Sequence, residues 1–463
     1  MARPLRVGIV GAGPAGIYAA DILSQSELDV SVDLLERLPG PYGLVRYGVA
    51  PDHPRIKQIM VALHKVLDRG AARFIGNVNY GTDLNLSDLH ELYDVVIFST
   101  GCIRDADLDI PGIDLPESFG AADFVNWYDG HPDVGRTWPL AAREVAVIGA
   151  GNVALDVARM LSKHPEDLKS TDIPANVYEG LKANPVTDVH IFARRGPAQV
   201  KFSPLELREL GQVPDVDVIV YPEDFDFDEG SEAAIRSTNQ TKQVVKTLTD
   251  WTLKEPEDHT ASRRVHLHFL HRPAEVLGDG KVTGLRTERT QLNGDGTVSG
   301  TGEYHDWDAQ AVYRAVGYFG SPLADVPFDE VAGVIPNVAG RVVTQDGAPL
   351  PRVYTTGWIK RGPVGLIGST KSDARETIGN IIADTEDTAD ALRRAPDAAP
   401  EAVFERLEAR GVPYTTWEGW QRIEAHELAL GEADGRERIK VVPREELTAI
   451  ALAKELAKAA ANS

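Results

Sequence analysis

The chain has one cysteine, Cys102, among 463 residues. It therefore holds no internal disulfide, no Cys-x-x-Cys redox pair, no four-cysteine iron–sulfur cluster and no cysteine-rich zinc site. Positive charge is also scarce. There are 48 Lys and Arg against 70 Asp and Glu, a net charge of −22. That excludes broad nucleic-acid binding as an average surface property, because a phosphate backbone calls for a basic face; a local basic patch is still allowed. No apolar run reaches the ~18 residues of a membrane span. The first apolar stretch, from Leu5, runs straight into Gly11 and leaves no space for a signal peptide before it. A cytoplasmic protein without a membrane span is the expectation. Apolar residues at 43% and charged residues at 25% are ordinary for a folded globular chain. The length suits roughly two to three domains.

What is present begins at the first strand. Val7, Ile9 and Val10 give a buried-strand pattern, followed by Gly11-Ala12-Gly13-Pro14-Ala15-Gly16 and a helix pattern from Ile17 to Leu23. Strand, GxGxxG and helix form the context a dinucleotide fingerprint requires. Gly11 permits the turn, Gly13 lets backbone approach a pyrophosphate, and Gly16 lets helix and strand pack closely. A second strand pattern, Val30 to Leu35, ends at Glu36, where a carboxylate takes a ribose hydroxyl.

The pattern recurs at Glu144–Ile148, then Gly149-Ala150-Gly151-Asn152-Val153-Ala154, then a helix from Leu155 to Leu161. The next strand pattern, Val189 to Ala193, ends in Arg194-Arg195 instead of a carboxylate. Guanidinium groups there hold a 2′-phosphate, so the second nucleotide reads as NADP(H). The spacing from Gly149 to Arg194 exceeds the usual ~20 residues, and 161–188 reads as an insertion. Two dinucleotide units with opposite end charges suggest a flavoprotein oxidoreductase with one fixed and one exchanged cofactor.

Strand patterns at Tyr93–Thr100 and Ala309–Val316, each ending at a glycine, read as crossings between a first domain and an inserted second one. The expected fold is α/β, two Rossmann-like dinucleotide-binding domains, with the NADP domain (106–314) inserted into a discontinuous FAD domain (1–105 and 315–463). The acidic stretch Glu223–Glu232 reads as a solvated loop, and the last 60 or so residues as amphipathic surface helices. A glycine-rich loop, 359–368, opens a helix pattern from Lys371 to Asp384.

These residues resemble a family: the ferredoxin–NADP reductases of the adrenodoxin reductase type. The resemblance covers nearly the whole chain. It rests on Gly11–Gly16, on Gly43-Leu-Val-Arg-Tyr-Gly-Val-Ala-Pro-Asp-His-Pro54, and on Gly151-Asn-Val-Ala-Leu-Asp156. It rests further on Arg194-Arg-Gly196, Leu205–Leu210 and Gly357-Trp-Ile-Lys-Arg-Gly-Pro-Val-Gly365. In the last, Trp358 stands where the wider glutathione reductase superfamily has aspartate. The resemblance implies tightly bound FAD on the first unit, with Ala12, Glu36, Leu44, Val78, Trp358, Gly365, Leu366 and Ile367 beside it. It implies NADPH against Asn152, Val153, Ala154, Arg194, Arg195 and Glu206. It implies His53 and Glu209 at the nicotinamide–isoalloxazine contact, and no metal. Read alone, Ser203-Pro-Leu-Glu206 is a capping box and His53 an ordinary loop histidine.

The implied reaction moves a hydride from NADPH to FAD and single electrons onward to a ferredoxin-type iron–sulfur protein. An acidic chain meets an acidic ferredoxin only through a local basic face. Arg46, Arg55, Lys57, Lys201, Arg208, Lys360 and Arg361 are its candidates. A diaphorase or oxidase with a quinone or other small-molecule acceptor is the alternative, and a non-catalytic nucleotide sensor is a third reading.

Overall fold

The computed structural model describes residues 3–365, 367–387, 392 and 395–462, with backbone only at 367, 386, 387 and 454–462. The chain divides into two compact units. The first comprises 1–104, 129–133 and 318–463; the second comprises 105–128 and 134–317.

The first unit is built on a seven-stranded sheet. Its order is 337–338, 341–343, 349–355, 95–98, 5–10, 30–35 and 73–75. Pairing is parallel from Pro349–Thr355 through Arg73–Ile75 and antiparallel at the other edge. The strand Leu5–Val10 is buried at every residue, as expected of a parallel strand covered on both faces. Its one charged member, Arg6, is kept inside by Asp33 at 2.6 Å and by the Tyr93 ring. The helices Pro14–Ser24 and Ile367–Asp387 cover this sheet, and Ile17, Leu23, Ile378 and Ile381 join Val7, Ile9 and Leu34 in one core.

The helix Trp417–Ala433 departs from the surface role expected of it. Trp420, Ile423 and Glu427 are buried. Glu427 makes a two-pronged pair with Arg46, at 2.5 and 3.1 Å, and Arg46 also lies over the Trp420 ring. A guanidinium at 1% exposure is tolerable only with such a partner. Residues 129–133 belong to the first unit for a similar reason. Asp129 is buried between Lys57 (3.2 Å) and Lys440 (3.1 Å). Sequence pattern alone places that segment in the inserted domain.

The second unit has an all-parallel six-stranded sheet, ordered 118–120, 311–314, 144–148, 188–192, 263–268 and 216–220. A three-stranded antiparallel sheet, 271–278, 282–292 and 298–308, accompanies it. The expected insertion 161–188 holds a 3-10 turn, Pro165–Leu168, and a helix, Ala175–Lys182, whose Val177, Tyr178 and Leu181 are buried. The acidic stretch is not a solvated loop throughout. Asp224 is buried, accepts from the Phe269 N–H at 2.9 Å and pairs with Arg289 at 2.5 Å. Asp228 caps the helix Glu229–Ser237 through the Ser231 N–H. Among the described residues no helix is long and apolar enough to cross a membrane.

At the start of the second unit both carboxylate oxygens of Asp105 accept the Ala122 N–H, at 3.0 and 3.1 Å, where the helix Ala121–Tyr128 begins. Burial nevertheless pushes this carboxyl up to about 6. The folded chain therefore holds its proton more tightly than the unfolded chain does. The resulting stabilisation is complete below the unfolded value and is lost as pH rises through about 6. Asp105→Asn keeps an acceptor and removes the titration. Its stability relative to the parent should rise by on the order of 2 kcal/mol between about pH 4.5 and pH 8, measured by urea unfolding. A difference that stays flat with pH would show that Asp105 is not the titrating group.

Candidate functional site

Each unit carries its own strand–turn–helix. In the first, Leu5–Val10 leads through Gly11–Gly13 into the helix Pro14–Ser24, with Pro14 in its first turn. Gly11 has φ +109°, and a Cβ there would lie 2.6 Å from the Ser99 carbonyl oxygen. At Gly16 a Cβ would collide with the carbonyl oxygen of Gly11. Gly13 differs: its nearest neighbour would be Gly43 Cα, at 4.0 Å. Internal packing therefore demands glycine at 11 and 16, whereas at 13 it leaves space that a bound group can use.

Glu36 follows the strand Val30–Leu35. Its carboxylate accepts the Ala12 N–H at 2.7 Å and the Leu38 N–H at 3.0 Å. Burial pushes its pKa up and the N–H donors pull it back. The group is held against the turn where a ribose would lie. The Val78 N–H is spent on the Glu36 carbonyl, at 2.9 Å, so only its carbonyl remains as a backbone partner. Leu44 opens the short helix Leu44–Tyr47 and is half-buried.

Trp358 begins another short helix, Trp358–Arg361, after Gly357 at φ +79°. A Cβ on Gly357 would come within 2.6 Å of Ala15 Cβ, so this turn sits directly on the first helix. Asp373, a residue not singled out by sequence pattern, holds the turn in place. Its carboxylate accepts from the Gly357 N–H at 2.5 Å and the Thr356 hydroxyl at 3.0 Å, and pairs with Lys360 at 3.0 Å. The only sequence signal is an acidic residue on the helix after the glycine-rich loop, indistinguishable there from a surface charge. Gly365 is exposed with φ +83°. Leu366 and the side chain of Ile367 lie outside the described residues.

In the second unit Glu144–Ile148 leads to Gly149, where a Cβ would collide with the Ala315 carbonyl. Gly151 has nothing within 4 Å of a built Cβ. Asn152, Val153 and Ala154 form the first turn of the helix Asn152–Ser162, and the Ala154 N–H donates to the Gly151 carbonyl at 3.0 Å. Asn152 Oδ1 takes the Ser203 N–H at 2.8 Å. That bond corrects the capping-box reading of Ser203–Glu206. Ser203 does cap the helix Pro204–Leu210, accepting from the Glu206 N–H. The Ser203 N–H that a full box would give to Glu206 goes to Asn152 instead, and Glu206 lies buried 3.7 Å from Arg159.

Arg194 and Arg195 follow the strand Asp188–Phe192. Arg194 is exposed and Arg195 half-exposed. Neither guanidinium has an ion-pair or hydrogen-bond partner among the described residues. His53 belongs to the first unit, is buried, and precedes the short helix Pro54–Lys57; Glu209 belongs to the second and is half-buried.

The basic candidates divide sharply. Arg46, Lys57 and Lys360 are buried in ion pairs with Glu427, Asp129 and Asp373, so they offer no docking charge. Arg361 is half-buried, with its guanidinium turned to the Val364 carbonyl. Arg55, Lys201 and Arg208 remain exposed.

Residues 5–196 match the family model for pyridine nucleotide-disulphide oxidoreductases. The NADPH-ferredoxin reductase FprA of Mycobacterium tuberculosis is 41% identical, over 97% of this chain and all of that one. The mitochondrial NADPH:adrenodoxin oxidoreductase of Arabidopsis thaliana is 37% identical, over 97% of this chain and 96% of that one. The solved structure of Mycobacterium tuberculosis FprA in complex with NADPH superposes with a TM-score of 0.88 at 40% identity, covering 97% of this chain and all of that one. The chain belongs to the adrenodoxin reductase-type ferredoxin reductases. In this member of the family disulfide chemistry has no thiol pair. Cys102 is buried against the Trp358 carbonyl at 3.4 Å, and burial pushes its thiol up to about 12.

The glycine geometry separates folding from binding in this family member. Gly151→Ala should keep the melting temperature within ~2 °C while weakening dinucleotide binding by ~10-fold or more. Gly16→Val should cost several °C or prevent folding. Thermal denaturation and NADPH titration of the purified protein check both. Equal effects of the two changes on stability would contradict the assignment.

Proposed function

We propose that the chain is a cytoplasmic FAD-dependent reductase that takes a hydride from NADPH and delivers single electrons to a ferredoxin-type iron–sulfur protein. The observation that carries this reading is the pair of dinucleotide turns with opposite chemistry at their strand ends. The first ends in a carboxylate fixed against its own turn, the second in two guanidiniums with no internal partner. Bound FAD supplies two-electron uptake from a nicotinamide and one-electron release to an iron–sulfur centre.

The residues supply binding and placement. Gly11, Ala12, Gly13, Pro14 and Gly16 would seat the FAD pyrophosphate on a helix N-terminus, and Glu36 would hold its ribose. Leu44, Val78, Trp358 and the 365–367 loop would complete that site. Gly151, Asn152, Val153 and Ala154 would seat the NADPH pyrophosphate, with Glu206 beside them. Arg194 and Arg195 would grip its 2′-phosphate, which distinguishes NADPH from NADH. His53 and Glu209 would orient the nicotinamide and exchange a proton with solvent. The exposed Arg55, Lys201 and Arg208 would steer an acidic carrier.

Purified yellow protein should reduce cytochrome c with NADPH far faster when a ferredoxin is present, and should prefer NADPH to NADH. Arg194→Ala and Arg195→Ala should each raise KM for NADPH by about 10- to 100-fold with little change for NADH. Brisk turnover that ignores ferredoxin would move the acceptor to a small molecule. Unchanged nucleotide preference would remove the arginines from the site.

His53→Gln and Glu209→Gln should keep FAD bound and slow flavin reduction by ~10-fold or more in stopped flow. Full-speed reduction in both variants would take those two residues out of the reaction.

A further inference from the structure

Three imidazoles stand together in the second unit, on the strand paired with Glu144–Ile148 and on the strand beyond it. His190 lies on the strand Asp188–Phe192, and His266 and His268 lie two residues apart on the neighbouring strand Arg263–His268. The parallel register sets His266 beside His190, with ring centroids 4.3 Å apart. Nδ1 of His190 meets Nε2 of His268 at 3.0 Å, the two rings within 15° of parallel. One ring nitrogen from each of the three lies within 4.8 Å of the others.

Polar partners surround the group. Asp188 Oδ1 is 3.0 Å from His266 Nε2, and the Tyr221 hydroxyl is 2.9 Å from His266 Nδ1. Arg264 grips Asp188 at 2.6 and 2.7 Å and keeps it ionised. Trp307, on the antiparallel sheet, closes the cluster at 4.4 Å from His268 and 6.2 Å from His190. Nearby His271 stays out of the set, because its nitrogens face Thr287 and Arg289.

We propose that His190, His266 and His268 form a binding site for a borderline divalent transition metal ion, with solvent in the fourth position. Nitrogen donors select zinc, copper or nickel over calcium or magnesium. A tetrahedral zinc site with bonds of about 2.0–2.1 Å sets its ligand nitrogens about 3.3 Å apart. The His190–His268 pair has to open by only a few tenths of an ångström, with the ion replacing the shared proton. His266 has to turn its Nε2 from Asp188 toward the ion. Tyr221 then orients the ring through Nδ1, as an outer partner of a metal-bound histidine does.

The test uses the full chain, stripped with a chelator and dialysed against zinc alone. The expected result is one zinc per chain at micromolar free zinc, undisturbed by millimolar magnesium. His190→Gln and His266→Gln should each weaken binding at least ~10-fold. His426→Gln, at an exposed position on a helix of the first unit, should leave it unchanged. Copper should quench a tryptophan component that is missing in Trp307→Phe, while that variant still binds one zinc. His190 is the least buried of the three, so its variant serves if His266→Gln fails to fold. Less than one zinc per chain at ~100 µM, or zinc binding and copper quenching that survive His190→Gln, would overturn the proposal.

Discussion

The first nucleotide site depends on a missing side chain. Gly16 brings the helix Pro14–Ser24 so close to the preceding strand that a Cβ would collide with the Gly11 carbonyl. That approach sets where the helix N-terminus points. Glu36, tied to the Ala12 N–H, and the Gly357 turn, resting on Ala15, take their positions from it. In the second unit Gly149 against the Ala315 carbonyl matches Gly11 against the Ser99 carbonyl, and Ala154 stands at the third small position. In both, the middle glycine faces open space.

Buried charge is the second organising theme. The first unit encloses Arg6 with Asp33, Arg46 with Glu427, Lys57 and Lys440 with Asp129, and Lys360 with Asp373. Removing one partner from such a pair strands the other without water, so these pairs fix geometry even where their net contribution to stability is small. They join segments far apart in the chain, and Asp373 uses its pair to anchor the turn that presents Trp358. The same pairs withdraw Arg46, Lys57 and Lys360 from the basic docking candidates. By contrast, Arg194 and Arg195 have no ion-pair partner among the described residues.

Motifs whose chemistry is local are legible in the sequence. Both fingerprints, the carboxylate at Glu36, the arginine pair and the two-unit plan follow from contiguous residues and backbone sterics. Other assignments fail where a partner lies far along the chain. Arg46 and Lys57 look like surface cations until Glu427 and Asp129 are beside them. Ser203–Glu206 looks like a complete capping box until Asn152 claims the Ser203 N–H. Asp224 and the helix Trp417–Ala433 look solvated until Arg289 and Arg46 bury them. Alternation and charge report what a segment prefers in water, not what arrives to neutralise it.

Two glycine turns, the charge at each following strand end and the lack of a thiol pair are all set within the sequence. Those are properties of a few consecutive residues, set by glycine's freedom, helix N-termini and fixed charge. Tertiary structure alone decided which charges are spent inside, that Asp373 holds the Trp358 turn, and that residues 129–133 rejoin the first unit. It also decided that His190, His266 and His268 share one face of a sheet. Each of those outcomes depends on long-range pairing, which places groups within a few ångströms by the register of strands and the cost of leaving a buried charge alone.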